Sequence, residues 1–222
     1  MQPHAVGSRA GAGDRDNRLA PASLRPGPWW LVLLGLFALV AASVELGWWD
    51  RLDHSVNDWA ALPRKTLPWS AAKVVVDVAT PEVALPVTLA IGLLAAWRWG
   101  RWGIAGEAAI RVGLVVASVL LLKPLLAVPG PTRNPLGDHG GAFPSGHTTS
   151  TVVCMALLLA WFGRPRSMTG RVAVNAVVVA VVAASVISLN YHYLSDVVGG
   201  LVLGLLIATL PLPLPRRRSP AG

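Results

Sequence analysis

The sequence predicts an all-α, polytopic membrane bundle with six transmembrane spans and an amphipathic helix on the periplasmic side. Three observations predict it. Apolar residues make up 54% of the chain and charged residues only 14%, with a mean hydropathy of +0.55. Several apolar runs approach or exceed the roughly 20 residues a helix needs to cross a bilayer. Tryptophans and arginines bound these runs, as they do at membrane–water interfaces.

Each element has its own signal. Residues 1–27 are polar, rich in Gly, Pro and Ala, and carry Arg9, Arg15, Arg18 and Arg25, which reads as a disordered basic cytoplasmic tail. The membrane domain then covers residues 28–211. Its first span, Trp29 to Trp49, has paired tryptophans at both ends and is long enough to remain as an anchor. Val40-Ala41-Ala42 nevertheless has the small-residue character of a signal-peptide cleavage site. From residue 50 to about 68, Leu52, Val56, Trp59 and Leu62 recur at helical spacing opposite Arg51, Asp50, Asp53 and Asp58. That pattern predicts a helix lying on the membrane surface and closed by Pro63. Ser70 to Ala79 is apolar but too short to cross alone.

Pro81 to Trp99 is the second span, followed by an anchoring turn, Trp97-Arg98-Trp99-Gly100-Arg101-Trp102. The third runs from Ile104 to Val128, with Lys123 near its far end, and a Pro/Gly-rich loop leads from Pro129 to Pro144. His147 to Phe162, Val172 to Asn190 and Leu194 to Leu210 complete the six; the last carries Gly200 and Gly204 at the spacing that permits close helix packing. Residues 212–222, with Arg216, Arg217 and Arg218, form a second basic cytoplasmic tail.

The charge of +8 and pI near 11.0 would suggest nucleic acid as partner in a soluble protein. Here the cations cluster at helix ends, so topology accounts for them and no nucleic-acid partner is expected. With the N-terminus in the cytoplasm and six alternating spans, 13 of 19 Lys/Arg fall inside, while eight of eleven acidic residues fall outside. Both termini are then cytoplasmic, in a multi-pass protein of the cell membrane. Lys123, the Pro144–His147 loop and His192 all fall on the extracytoplasmic face. Cys154 is the only cysteine, which excludes a disulfide framework and a cysteine metal site.

Gly140 to Ser150 holds the strongest local signal. A glycine pair, a proline, Ser145 and Gly146 lead directly into an apolar helix, whose free N–H groups and dipole favour an anion. His147 lies in its first turn. The same residues could be a common turn with an interfacial histidine. His192 and Asp196, four apart, share a helix face, so the carboxylate can hold the imidazole in one tautomer. Alternatively, Asp196 simply caps the last helix. Two histidines and Lys123 beside an anion-binding loop suggest phosphoryl chemistry, with one histidine attacking phosphorus and the other protonating the leaving oxygen.

These residues resemble the type-2 phosphatidic acid phosphatases, an integral-membrane branch of a superfamily that includes haloperoxidases. The family pattern is a lysine, six residues and Arg-Pro; then Pro-Ser-Gly-His; then Ser-Arg, five residues, His, three residues and Asp. The second part is complete as Pro144-Ser145-Gly146-His147; the third is present as Ser185, His192 and Asp196, and the first begins at Lys123. The match covers about residues 50 to 210. It implies that His192 is the nucleophile forming a phosphohistidine, Asp196 its orienting partner and His147 the general acid. Lys123, Ser145 and the Gly146 backbone would bind phosphate, with neither metal nor cofactor required.

Two departures stand out. Gly130 and Val186 occupy the positions of the two phosphate-clamping arginines. Arg133, three residues late, could replace the first if the loop carries an insertion; otherwise it is a solvated loop arginine. Nothing nearby replaces the second, and Asp138 and His139 read as solvated. The resemblance implies a phosphatase of lipid phosphates or polyprenyl (pyro)phosphates in the outer leaflet. A lipid phospho-head-group transferase and a non-catalytic lipid-phosphate binder are the alternatives.

Overall fold

The computed structural model describes residues 28–131, 141–163 and 167–212. Among these residues the chain is all helical, with α1 Trp29–Glu45, α2 Asp50–Ala60, α3 Leu67–Ala79, α4 Pro81–Trp99, α5 Gly103–Leu126, α6 Gly146–Phe162, α7 Met168–Ser188 and α8 Leu194–Thr209. Local chemistry sets most boundaries. Thr66, Ser145 and Ser167 cap α3, α6 and α7 by accepting N–H bonds from Trp69, Thr148 and Gly170. Pro81 opens α4, and Gly100, left-handed at φ 61°, closes it. Gly47, at φ 71°, lies in the break where α2 turns away from α1 by 87°.

The sequence boundaries shift accordingly. The first apolar helix stops at Glu45 rather than Trp49, and the surface helix ends at Ala60, just before the Pro63 expected to close it. What the sequence shows as a short apolar piece is a capped 13-residue helix, α3.

Helices α4, α5 and α7 are each long and apolar enough to cross a bilayer alone. Helix α1 meets that standard only together with the bent α2, while α6 and α8 are shorter apolar helices of 17 and 16 residues. The short pair forms the centre of the bundle. Val152, Val153, Cys154 and Leu157 of α6 and Val202, Leu203, Leu206 and Ile207 of α8 are buried. Large apolar residues on α1, α4, α5 and α7 (Leu39, Leu94, Leu120 and Val177 among them) point outward, as lipid-facing surfaces do.

The α6–α8 contact depends on small residues. A Cβ on Gly204 would lie 2.7 Å from the Val152 Cβ, and one on Gly200 would lie 2.6 Å from the Ser145 carbonyl oxygen. Thr149 Oγ1 donates to the Gly200 carbonyl at 3.2 Å. At the opposite end of the bundle, the buried Arg111 of α5 bonds Glu107 at 3.1 Å, Leu210 O at 3.3 Å and Ile207 O. It thereby satisfies carbonyls that the end of α8 would leave unpaired. This accounts for a buried arginine within an apolar helix.

Candidate active site

The chain alternates direction so that the N-termini of α6 and α8 and the C-terminus of α5 meet at one end of the bundle. Two links hold them. Ser145 N–H donates to the Asp196 carbonyl at 2.9 Å. Gly141, at φ 118°, sits so close to the end of α5 that a Cβ there would lie 2.7 Å from the Lys123 carbonyl oxygen. Phe143, fully buried, fills the space above Gly199, where a Cβ would approach its ring to 2.2 Å. The Phe143–Pro144 peptide bond is cis.

This packing brings the two histidines together. The His147 and His192 ring centroids are 5.8 Å apart, edge to face. His192 is buried and its Nδ1 lies 3.3 Å from Asp196 Oδ2. The same Asp196 oxygen accepts the Tyr193 N–H at 2.8 Å, so it caps α8 and orients the imidazole at once. One Asp196 oxygen thus makes both contacts that the sequence offered as alternatives. With Nδ1 turned to the carboxylate, Nε2 is the ring nitrogen left for chemistry.

Other expected residues are placed differently. Ser145 is fully buried, and its Oγ faces the Thr148 N–H and hydroxyl at 3.4 and 3.3 Å. It shapes the start of α6. Gly146 begins the helix and, with His147, forms the first turn beside the histidine pair. Lys123 lies in the last turn of α5, within electrostatic range of His147. Arg133, Asp138 and His139 lie outside the described residues. Val186 is fully buried, in a cluster with Val76, Val182, Tyr191 and Val197. An apolar contact thus stands where the resemblance leads one to expect a clamping arginine.

Sequence reasoning missed several polar neighbours. Asp77 of α3 and Glu82 of α4 both lie within electrostatic range of His147. Asp77 is paired with Lys73, and Glu82 is bonded to Thr80 at the start of α4. Asp53, read from the sequence as part of the water-facing side of α2, is instead buried with Asn57 against the α7–α8 turn, while Leu52 and Trp59 face out. Burial pushes the Asp53 carboxyl up from its ordinary value, and hydrogen bonds from Ser195 pull it back. The usable signal was the i, i+4 spacing of Asp53 and Asn57, which gives α2 a narrow uncharged-plus-acidic stripe of its own. No group of three or more His, Cys, Asp or Glu among the described residues could hold a metal ion.

The family model of the PAP2 superfamily matches residues 105–219, just over half of the chain. The chain belongs to the PAP2 superfamily. The match spans α5 to α8 and so includes every helix that carries the histidine pair and Lys123. No curated protein matches this PAP2 chain. Its fold is similar to that in a crystal structure described as the first transmembrane PAP2-type phosphatidylglycerolphosphate phosphatase from Bacillus subtilis. The TM-score is 0.65 with 22% identity, covering 80% of this chain and 91% of that one. At that identity the likeness is one of fold. It extends the correspondence beyond the family match into the N-terminal helices of this PAP2 protein.

Proposed function

We propose that this protein is a membrane phosphatase acting on a lipid phosphate or polyprenyl (pyro)phosphate through a phosphohistidine on His192. The observation that carries this reading is the His147–His192 pair, 5.8 Å apart between ring centroids, with Asp196 behind the attacking ring. His192 Nε2 attacks phosphorus as the P–O bond to the lipid breaks, and His147 gives its proton to the departing oxygen. His147 then takes a proton from water, which attacks the phosphohistidine and releases phosphate and free imidazole. Lys123 and the N–H groups at the start of α6 balance charge on the phosphoryl oxygens. Ser145 fixes the shape of that helix start, and Arg133 supplies a further cation from the adjoining loop.

The chain is read as six spans, with the two short helices α6 and α8 at the centre and α1 packed on α8 with its other face outward. Both termini face the cytoplasm, and α2 lies on the outer surface with Leu52 and Trp59 toward lipid. The site then opens on the extracytoplasmic face. Helices of 16 and 17 residues rise only about 25 Å, less than the roughly 30 Å hydrocarbon core. In this reading the shortfall lies at their N-terminal ends, where a lipid phosphate meets them with its chains still in the bilayer.

The buried Val186 favours one second reading, a lipid phospho-head-group transferase. A phosphodiester carries less charge than a monoester and needs fewer cations around it. Purified protein with labelled lipids separates the two. Phosphate release from a monoester supports the phosphatase, whereas head-group exchange without release supports the transferase. A lipid that binds and is neither hydrolysed nor exchanged refutes both.

A further inference from the structure

Helix α2 has an unusual orientation, with Leu52 and Trp59 outward and two polar side chains buried. Asp53 is 5% exposed and Asn57 4%. Asp53 Oδ1 accepts the Ser195 N–H at 2.9 Å, and Oδ2 accepts the Ser195 hydroxyl at 2.6 Å. One turn later, the Asn57 amide donates to the His192 carbonyl and to Asn190 Oδ1, each at 3.4 Å. Four hydrogen bonds therefore run from one face of α2 into residues 190–195, the segment that carries His192 and leads directly to Asp196.

We propose that Asp53, assisted by Asn57, is a positioning residue that holds the His192 turn in register with His147. The proposal rests on the reading of His192 as nucleophile. The geometry supports a positioning role beyond simple capping. The segment bends sharply, with Asn190 left-handed at φ 58° and the Val186 carbonyl accepting both the Tyr191 and His192 N–H groups, at 2.9 and 3.4 Å. One side of the following turn is fixed by the loop before α6, through Ser145 N–H to the Asp196 carbonyl. Asp53 and Asn57 fix the other side. Without α2, the turn that carries the imidazole would lose all four of these hydrogen bonds. Reaction rates are sensitive to displacements of about 1 Å at a reacting group, where losses near 10²-fold occur.

Asp53→Ala, Asp53→Asn, Ser195→Ala and the Asp53→Ala/Ser195→Ala double variant of the full chain test this in detergent micelles. The substrate is a short-chain phosphatidate, and rates are normalised to folded protein. Asp53→Ala should lower kcat by about 30- to 100-fold while KM changes by less than about threefold. Asp53→Asn, which keeps an oxygen acceptor for the Ser195 N–H, should recover kcat to within about fivefold of the parent. The double variant should be no slower than Asp53→Ala, because both changes remove the same link. A readout independent of turnover comes from histidine-selective 15N NMR: the His192 ring N–H held by Asp196 should be protected from solvent exchange in the parent and in Asp53→Asn, and lost in Asp53→Ala. If Asp53→Ala keeps both kcat and the protected ring N–H, the positioning role is wrong. If the parent itself releases no phosphate yet the ring signal follows this pattern, the phosphatase reading fails while the brace stands. If Asp53→Ala does not fold, Asp53→Asn and Asn57→Ala decide, the latter removing the bonds to the His192 carbonyl and Asn190: loss of the ring signal in Asn57→Ala with its retention in Asp53→Asn supports the brace, and any other pattern overturns it.

Discussion

Substituting Gly200 by alanine should damage catalysis through a single methyl group placed away from the reacting atoms. The new Cβ would lie 2.6 Å from the Ser145 carbonyl oxygen, about 0.8 Å short of the 3.4 Å at which ordinary contact begins, and 3.1 Å from the Thr148 Cβ. Both neighbours belong to the start of α6, and one is backbone, so no flexible side chain can give way. The start of α6 must move off α8, and His147 moves with it while His192 stays with α8. Overpacking of this kind costs about 1–3 kcal/mol of stability. A displacement approaching 1 Å between the two imidazoles should lower kcat by roughly 10²-fold. Gly113→Ala on α5 is the matched control, because its Cβ would meet nothing within 4 Å. It should keep activity and gain up to about 1 kcal/mol from better helix propensity. Gly204→Ala is the intermediate case, since its Cβ would meet Val152 at 2.7 Å, one helical turn further from the histidines. It should cost stability comparable to Gly200→Ala with a smaller loss of kcat. Thermal unfolding by circular dichroism and steady-state hydrolysis of a short-chain phosphatidate measure both quantities. Gly200→Ala with kcat within twofold of the parent would refute the claim that the α6–α8 contact sets the histidine geometry.

Three further outcomes are expected. Val186→Arg places a guanidinium in a fully buried apolar cluster, so it should lower stability by about 3 kcal/mol or more rather than restore a phosphate clamp; a stable, faster variant would show that the side chain reaches the site. Arg133→Ala should reduce kcat/KM by about 10²- to 10³-fold if the loop arginine contacts phosphate, with Arg133→Lys an incomplete substitute; parent-like kinetics for Arg133→Ala would mark it as a solvated residue. Reporter fusions after Gly137 and at the C-terminus should report opposite compartments, and agreement between them would contradict the six-span topology.

Much of this architecture is written in local pattern. Helix starts at Thr66, Pro81, Ser145 and Ser167 follow from residues whose side chains or missing N–H suit a first turn. The histidine pair was legible because Pro144-Ser145-Gly146-His147 and the His192–Asp196 spacing each encode their own local geometry. The direction of α2 was not. Its apolar stripe suggested contact with the membrane, and Leu52 and Trp59 do face outward, but periodicity does not tell which polar residues on the other side meet water. Asp53 and Asn57 meet the α7–α8 turn, more than 130 residues away in the chain. Ser145 shows the same limit, because a serine before a helix reads equally as a phosphate contact or a cap, and its burial favours the cap. Bilayer crossing was also only partly legible. Composition marks α6 and α8 as apolar, yet their length falls short of a standard span, and their place at the bundle centre follows from Gly200 and Gly204 packing on α6.

The most direct measurement is to trap the covalent intermediate. Purified protein is mixed with a 32P-labelled short-chain phosphatidate, quenched in alkali, which preserves phosphohistidine, and digested for mass spectrometry. The account predicts phosphate on His192, none in His192→Ala, and continued labelling with slowed turnover in His147→Ala, most visibly for substrates with good leaving groups. Label on another residue, or undiminished turnover in His192→Ala, would contradict it.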